Sequence, residues 1–346
     1  MLNNSDQQPV VVDEALSSRF ATMSFLCALC IVYLHTGTAS KEEVWGMAAN
    51  RMLGAVCRMA IPWFFLSAGY FLAGHMTEVG WWRQEITKRV RTLLVPFFIW
   101  STIICMTWVV CAVGIRAWGY SYSGPDAFQW LTHKGLLTVV GLDVFHTVPM
   151  MWFLRTLFVL VVLSPILRKV GWVFVVLYPI YKAFYTYLGA DFHLLLDGLL
   201  SIRGFAYFSI GLWLRYNWRP MPFAIKLCCS SIGIMLLILL CCCNGATARL
   251  LDVASVPFLL VLFFWMTLYV KLPQSIAQMS CPVYLIHGIM SYLISAVFGI
   301  LGYGGGKKTF ICGVTSFVGA VAASMLVTVL LRKCFPKFAH TAFGGR

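Results

Sequence analysis

The residues of this sequence that are suited to chemistry are few, and they stand among apolar neighbours. His35 lies near the far end of the run Met23-Ser24-Phe25-Leu26-Cys27-Ala28-Leu29-Cys30-Ile31-Val32-Tyr33-Leu34-His35-Thr36-Gly37. A neutral imidazole is matched to taking a proton from a hydroxyl near neutral pH. An ionisable group inside a hydrocarbon span is costly, so it points to function by default; the competing reading is a histidine that packs or caps a helix end. Lys88, Arg89 and Arg91, with Arg83 nearby, could hold phosphates by charge and by the guanidinium fork, and could equally serve only to orient a membrane protein. Arg155 follows Trp152-Phe153 in another apolar run, where an inward-facing guanidinium would stabilise an oxyanion or a phosphate. His287, closing Tyr284-Leu285-Ile286-His287, reads as a packed, hydrogen-bonded histidine or as a substrate ligand. Ser67-Ala68-Gly69-Tyr70 sets small residues in a span, which favours close helix approach, with the Ser67 and Tyr70 hydroxyls as secondary ligand candidates. A G-x-S-x-G elbow is absent, so a serine triad is not supported, and neither cysteine spacing nor a His-rich tract points to a metal.

The elements that must carry these groups are set by composition. The chain has 346 residues, 60% hydrophobic and 11% charged, with a mean hydropathy of +0.84. Soluble domains carry roughly 25% charge, so an all-α polytopic transmembrane bundle is predicted. Ten spans are expected, at about 22–38, 56–74, 93–113, 148–166, 170–188, 198–214, 227–243, 251–270, 279–299 and 310–331. They give one membrane domain over 21–332, between an N-terminal segment 1–20 and a C-terminal tail 333–346. The N-terminal segment is polar and acidic, without the basic region of a signal peptide, so the first span is expected to be retained. With the N-terminus cytoplasmic, 15 of the 26 basic residues fall in cytoplasmic segments and 7 opposite, which favours both termini inside. The net charge of +14 thus reflects topology at span ends and not a nucleic-acid surface. The connection 114–147 carries Trp118, Tyr120, Tyr122, Trp130, His133 and His146, and reads as an interfacial aromatic belt or as a lid.

Five stretches, taken in order, resemble the membrane-bound acyltransferase 3 family: Val32-Tyr33-Leu34-His35-Thr36, Ile61 to Leu72, Lys88 to Trp100, Trp152-Phe153-Leu154-Arg155 with Ser164-Pro165, and Tyr284-Leu285-Ile286-His287. The resemblance implies a multi-pass enzyme of a cell membrane, expected to be bacterial and cytoplasmic. It would move an acetyl or related acyl group from acyl-CoA to a hydroxyl of a glycan or other acceptor. It further implies His35 and Arg155 as catalytic, Lys88, Arg89 and Arg91 as donor-binding, and Ser67, Tyr70 and His287 as substrate-binding, with the lipid bilayer as partner and no resident cofactor or metal. Direct attack of the acceptor hydroxyl on the thioester is preferred, and an acyl-imidazole on His35 stays open. Some relatives are thought to be exporters, so a transporter of glycans or acylated compounds is the alternative. One departure stands out: the family commonly has an Arg eleven residues before the His, and here Ser24 occupies that place. Eleven residues are almost three turns, about 16 Å, so Ser24 shares the His35 face, whereas Arg19 lies about 160° around the helix.

Overall fold

A computed structural model describes residues 12–36, 44–117, 151–188, 201–300 and 310–345; the aromatic connection of the previous section lies almost wholly outside them. Among the described residues the chain is helical, with no strand. The helices are α1 (Glu14–Thr36), α2 (Val44–Arg58), α3 (Ala60–Ala73), α4 (Trp81–Arg89), α5 (Val95–Ala117), α6 (Trp152–Leu188), α7 (Ile202–Asn217), α8 (Phe223–Cys242), α9 (Gly245–Met266), α10 (Ser280–Ile300), α11 (Phe310–Cys334) and α12 (Pro336–Ala342). Eight stretches of the described residues are long and apolar enough to cross a membrane, the first being Glu14–Thr36 and the last Gly313–Cys334. The protein is therefore a polytopic helical bundle.

Two features separate these eight from the ten spans expected. Helix α7 has 16 residues, about 24 Å, shorter than the ~20 residues a bilayer core demands. The two spans expected at 148–166 and 170–188 form one helical run of 37 residues, about 55 Å if straight. That run is not straight, because its halves meet α7 in opposite senses. Leu160 lies by Gly204 and Arg168 stands 5.6 Å over the Tyr216 ring, whereas Gly171 abuts Ser209 and Phe174 stacks on Phe205 at 4.7 Å. The contacts change sense between Arg168 and Gly171, a few residues beyond Pro165. Proline removes the N–H that would bond the Val161 carbonyl, and the Ser164 hydroxyl donates to that carbonyl instead at 2.6 Å. The next freed carbonyl, that of Val162, accepts from Trp82 Nε1 at 3.1 Å.

Helices α3 and α7 form the tightest seam. A Cβ at Gly69 would run into the Phe208 carbonyl, and one at Gly211 into the Leu66 carbonyl. In lipid no hydrophobic force draws two helices together, so such small residues let backbones approach and gain dispersion contact. Helix α1 runs beside this seam with Phe20 among the rings of Trp63, Tyr70 and Phe71, all at 4.9–5.0 Å. Arg19 does not climb toward His35. It donates to the Phe264 carbonyl and Thr267 Oγ1 at 2.9 and 3.2 Å, with its guanidinium 4.2 Å over the Phe264 ring.

Between α4 and α5, Val90–Leu94 form a π turn. Pro96 follows it and cannot donate to the Thr92 carbonyl, which removes one rung of the ladder where the helix widens. Beneath this turn the C-terminal segment folds back. Trp100 Nε1 donates to the Ala342 carbonyl at 2.8 Å, and Phe343, 1% exposed, stacks on the Trp100 ring at 5.9 Å.

Candidate active site

The bundle brings four of the five motif stretches to one place. Phe64 of α3, Phe153 of α6 and Tyr284 of α10 form a triangle of rings, with centroids 5.7, 5.8 and 6.3 Å apart. Tyr284 leads to His287 at 5.9 Å, and His287 to His35 of α1 at 5.3 Å, the two imidazoles inclined by 41°. Two groups 252 positions apart in sequence are thus neighbours. His287 is 0% exposed, while the His35 ring is accessible.

The state of the buried ring follows from its hydrogen bond. His287 Nδ1 lies 2.6 Å from the Tyr284 carbonyl, one turn back on α10. A carbonyl only accepts, so the proton is on Nδ1 and the lone pair on Nε2. That Nε2 is buried and without a hydrogen-bond partner among the described residues. A buried acceptor left unpaired costs stability, which makes it a place to look for bound substrate or a transferred proton.

The other expected residues divide. Arg155 is half-buried one turn into α6, two residues beyond Phe153 and so about 200° around the helix from the ring triangle. Ser67 turns its hydroxyl back to the Phe64 carbonyl at 3.1 Å. Tyr70 points away from the imidazoles, fully buried against Phe20, with the Arg215 guanidinium 5.0 Å over its ring. Ser24, where the resemblance leads one to expect an arginine, accepts from Trp63 Nε1 at 3.1 Å through its hydroxyl and from the Ser280 hydroxyl at 3.0 Å through its carbonyl. A neutral clasp between α1, α3 and α10 fills that level of the helix.

The fifth motif stretch lies at the opposite end of the bundle, around a cavity of about 730 Å³. Arg83, Lys88 and Arg91 line it from α4 and the π turn, and His340, Thr341 and Gly344 from the C-terminal segment. Arg89 is not among its lining residues. Its Nε donates to Glu85 at 3.1 Å, and Lys88 Nζ stands 3.6 Å from the same carboxylate, which is 5% exposed. Glu85 four residues ahead of Arg89 is a sequence signal for that pairing. The contribution of the C-terminal segment has no signal beyond an aromatic residue followed by two glycines, Phe343-Gly344-Gly345.

A family model described as an acyltransferase domain matches residues 23–333. No curated protein and no solved structure matches the chain.

Proposed function

The chain belongs to the acyltransferase family whose domain covers residues 23–333, and from that premise we propose that this membrane acyltransferase is an acyl-CoA-dependent O-acyltransferase acting on a hydroxyl of a glycan or other acceptor. The observation that carries the reading is the imidazole pair: an accessible His35 ring beside a buried His287 ring whose Nε2 lone pair is unused.

An alcohol is a poor nucleophile until its proton is being removed, and a neutral imidazole supplies that removal in the transition state. In the proposed reaction the acceptor oxygen attacks the thioester carbonyl while its proton passes to His35. The tetrahedral oxyanion collapses, the carbon–sulfur bond breaks, and the thiolate leaves with the proton from His35. His287 holds its tautomer through the Tyr284 carbonyl and offers Nε2 to the second nitrogen of His35 or to the acceptor hydroxyl. Arg155, half-buried in the first turn of α6, is the cation assigned to the oxyanion or to a donor phosphate. The donor's phosphates sit at the basic end, proposed to be cytoplasmic, and its acyl group extends toward His35. The bacterial cytoplasmic membrane is the proposed location.

The test is acyl transfer by purified protein in detergent, with acetyl-CoA and a panel of hydroxylated acceptors. Saturable product formation that is lost in His35→Ala, in a protein with unchanged melting, is the expected result. Full activity of His35→Ala overturns the assignment. Flux that requires sealed vesicles, with no transfer in detergent, would indicate a transporter.

A further inference from the structure

The family match ends at residue 333, yet much of the wall of the basic cavity comes from beyond it. His340, Thr341, Gly344 and Gly345 face Arg83, Lys88 and Arg91 across the space. The segment that carries them is fastened at a defined height. Phe343 is buried against Trp100, the Ala342 carbonyl is held by Trp100 Nε1, and Gly344 sits at φ +69 against Thr92. A Cβ at Gly344 would run into the Thr92 carbonyl, and the positive φ disfavours any side chain there, so the contact demands glycine. Thr92 belongs to the π turn and lines the same cavity, and its buried hydroxyl has no hydrogen-bond partner among the described residues.

The lining holds Arg83, Lys88 and Arg91 and no carboxylate; Glu85, turned inward to Arg89, also stands 3.6 Å from Lys88 Nζ and leaves the two arginines as the cations without an acidic partner among the described residues. Arg83 and Arg91, with the partly compensated Lys88 between them in sequence, repel each other across one space, and a polyanion relieves that repulsion while using the guanidinium forks. A volume of about 730 Å³ is far larger than one phosphate needs and falls in the range of small-molecule sites. We propose that this cavity holds the phosphates of a nucleotide-type donor, and that the C-terminal segment Pro336–Gly345 forms one wall of that site. The proposal rests on the donor reading above. It adds that recognition depends on a segment outside the matched domain.

Titration calorimetry of coenzyme A into the full chain, held in nanodiscs of neutral phosphatidylcholine, tests it. Arg83→Ala and Arg91→Ala should each weaken binding about tenfold, the scale of one charge-assisted contact. The double variant His340→Ala/Thr341→Ala, which leaves Phe343 in place, should weaken binding about threefold or more with unchanged melting, the scale of one neutral hydrogen bond. Dephospho-coenzyme A, with one phosphate fewer, should bind more weakly than coenzyme A, and this difference should shrink in Arg83→Ala or Arg91→Ala. Coenzyme A affinity in the double variant equal to that of the unaltered chain overturns the proposal. So does a cavity occupied by lipid, seen as no coenzyme A binding in nanodiscs of either neutral or anionic phospholipid. Acyl transfer is read separately. Transfer that persists with affinity insensitive to the C-terminal segment would remove this proposal alone, and segment-dependent affinity without transfer to any hydroxyl would remove the acyltransfer reading alone.

Discussion

The two ends of this bundle are built by opposite means. The imidazole end is assembled from long helices that meet across hundreds of residues, and the His287 ring is 0% exposed with a nitrogen that has no hydrogen-bond partner among the described residues. The basic end is assembled from local departures from regular helix: a π turn before a proline, a proline inside α6 at Pro165, and a short helix tucked under Trp100. The difference teaches a division of labour. Positioning a proton-transfer group needs rigidity and dryness, whereas gripping a charged ligand that arrives from water needs an open space with its charges already converged.

That contrast can be broken most sharply at His35. His35→Ala should lower kcat by about 10²–10⁴, the usual worth of a positioned base, with donor KM and melting nearly unchanged. A comparable rise in donor KM would mean that the two ends are not separate. Second in size is the seam that holds the imidazole end. Gly211→Val places a branched side chain against the Leu66 carbonyl, and should destabilise the protein by about 3–5 kcal/mol, read as a fall in the detergent melting midpoint. Retained melting would show that α3 and α7 separate at little cost.

Third is His287→Asn, whose amide can still donate to the Tyr284 carbonyl but offers nothing like the Nε2 lone pair. We expect kcat down by about 10–100-fold at unchanged melting, below the full worth of a base; a purely packing role predicts lost stability and normal turnover per folded molecule. The finest test sits within the basic end. Arg91→Ala should raise donor KM about tenfold, while Arg89→Ala should leave KM alone and cost about 1–3 kcal/mol of stability by removing one partner of buried Glu85. Exchanged phenotypes would mean that Arg89 and not Arg91 meets the donor.

Much of this was legible in the sequence, and the remainder had physical reasons to be hidden. Hydropathy marks the spans because lipid punishes every exposed polar group. It marks two spans, 148–166 and 170–188, where the structure has one helical run, because Pro165 is tolerated in a helix whose Val161 carbonyl finds the Ser164 hydroxyl. His35 and His287 were each visible as costly groups in apolar runs. That they face each other depends on the crossing of α1 and α10, which no local pattern encodes. The Lys88-Arg89-x-Arg91 spacing announces charge but not direction, and a neighbouring glutamate decides which side chain turns inward. For Tyr70 the sequence favours packing over its hydroxyl as a ligand, and the ring is stacked on Phe20. The Ser24 departure was readable as a missing cation. Its replacement by a Trp63 clasp was not, because the partner comes from another helix.

The contact of Gly69 with Phe208 and of Gly211 with Leu66 also has a consequence for how the chain is made. The ribosome completes α3 about 140 residues before it completes α7, and at 5–20 residues per second that interval is roughly 7–30 s. Throughout it, the notch at Gly69 faces lipid or the insertion machinery with nothing to fill it. A middle step of biogenesis must therefore slot a short helix against an early one already settled in the bilayer.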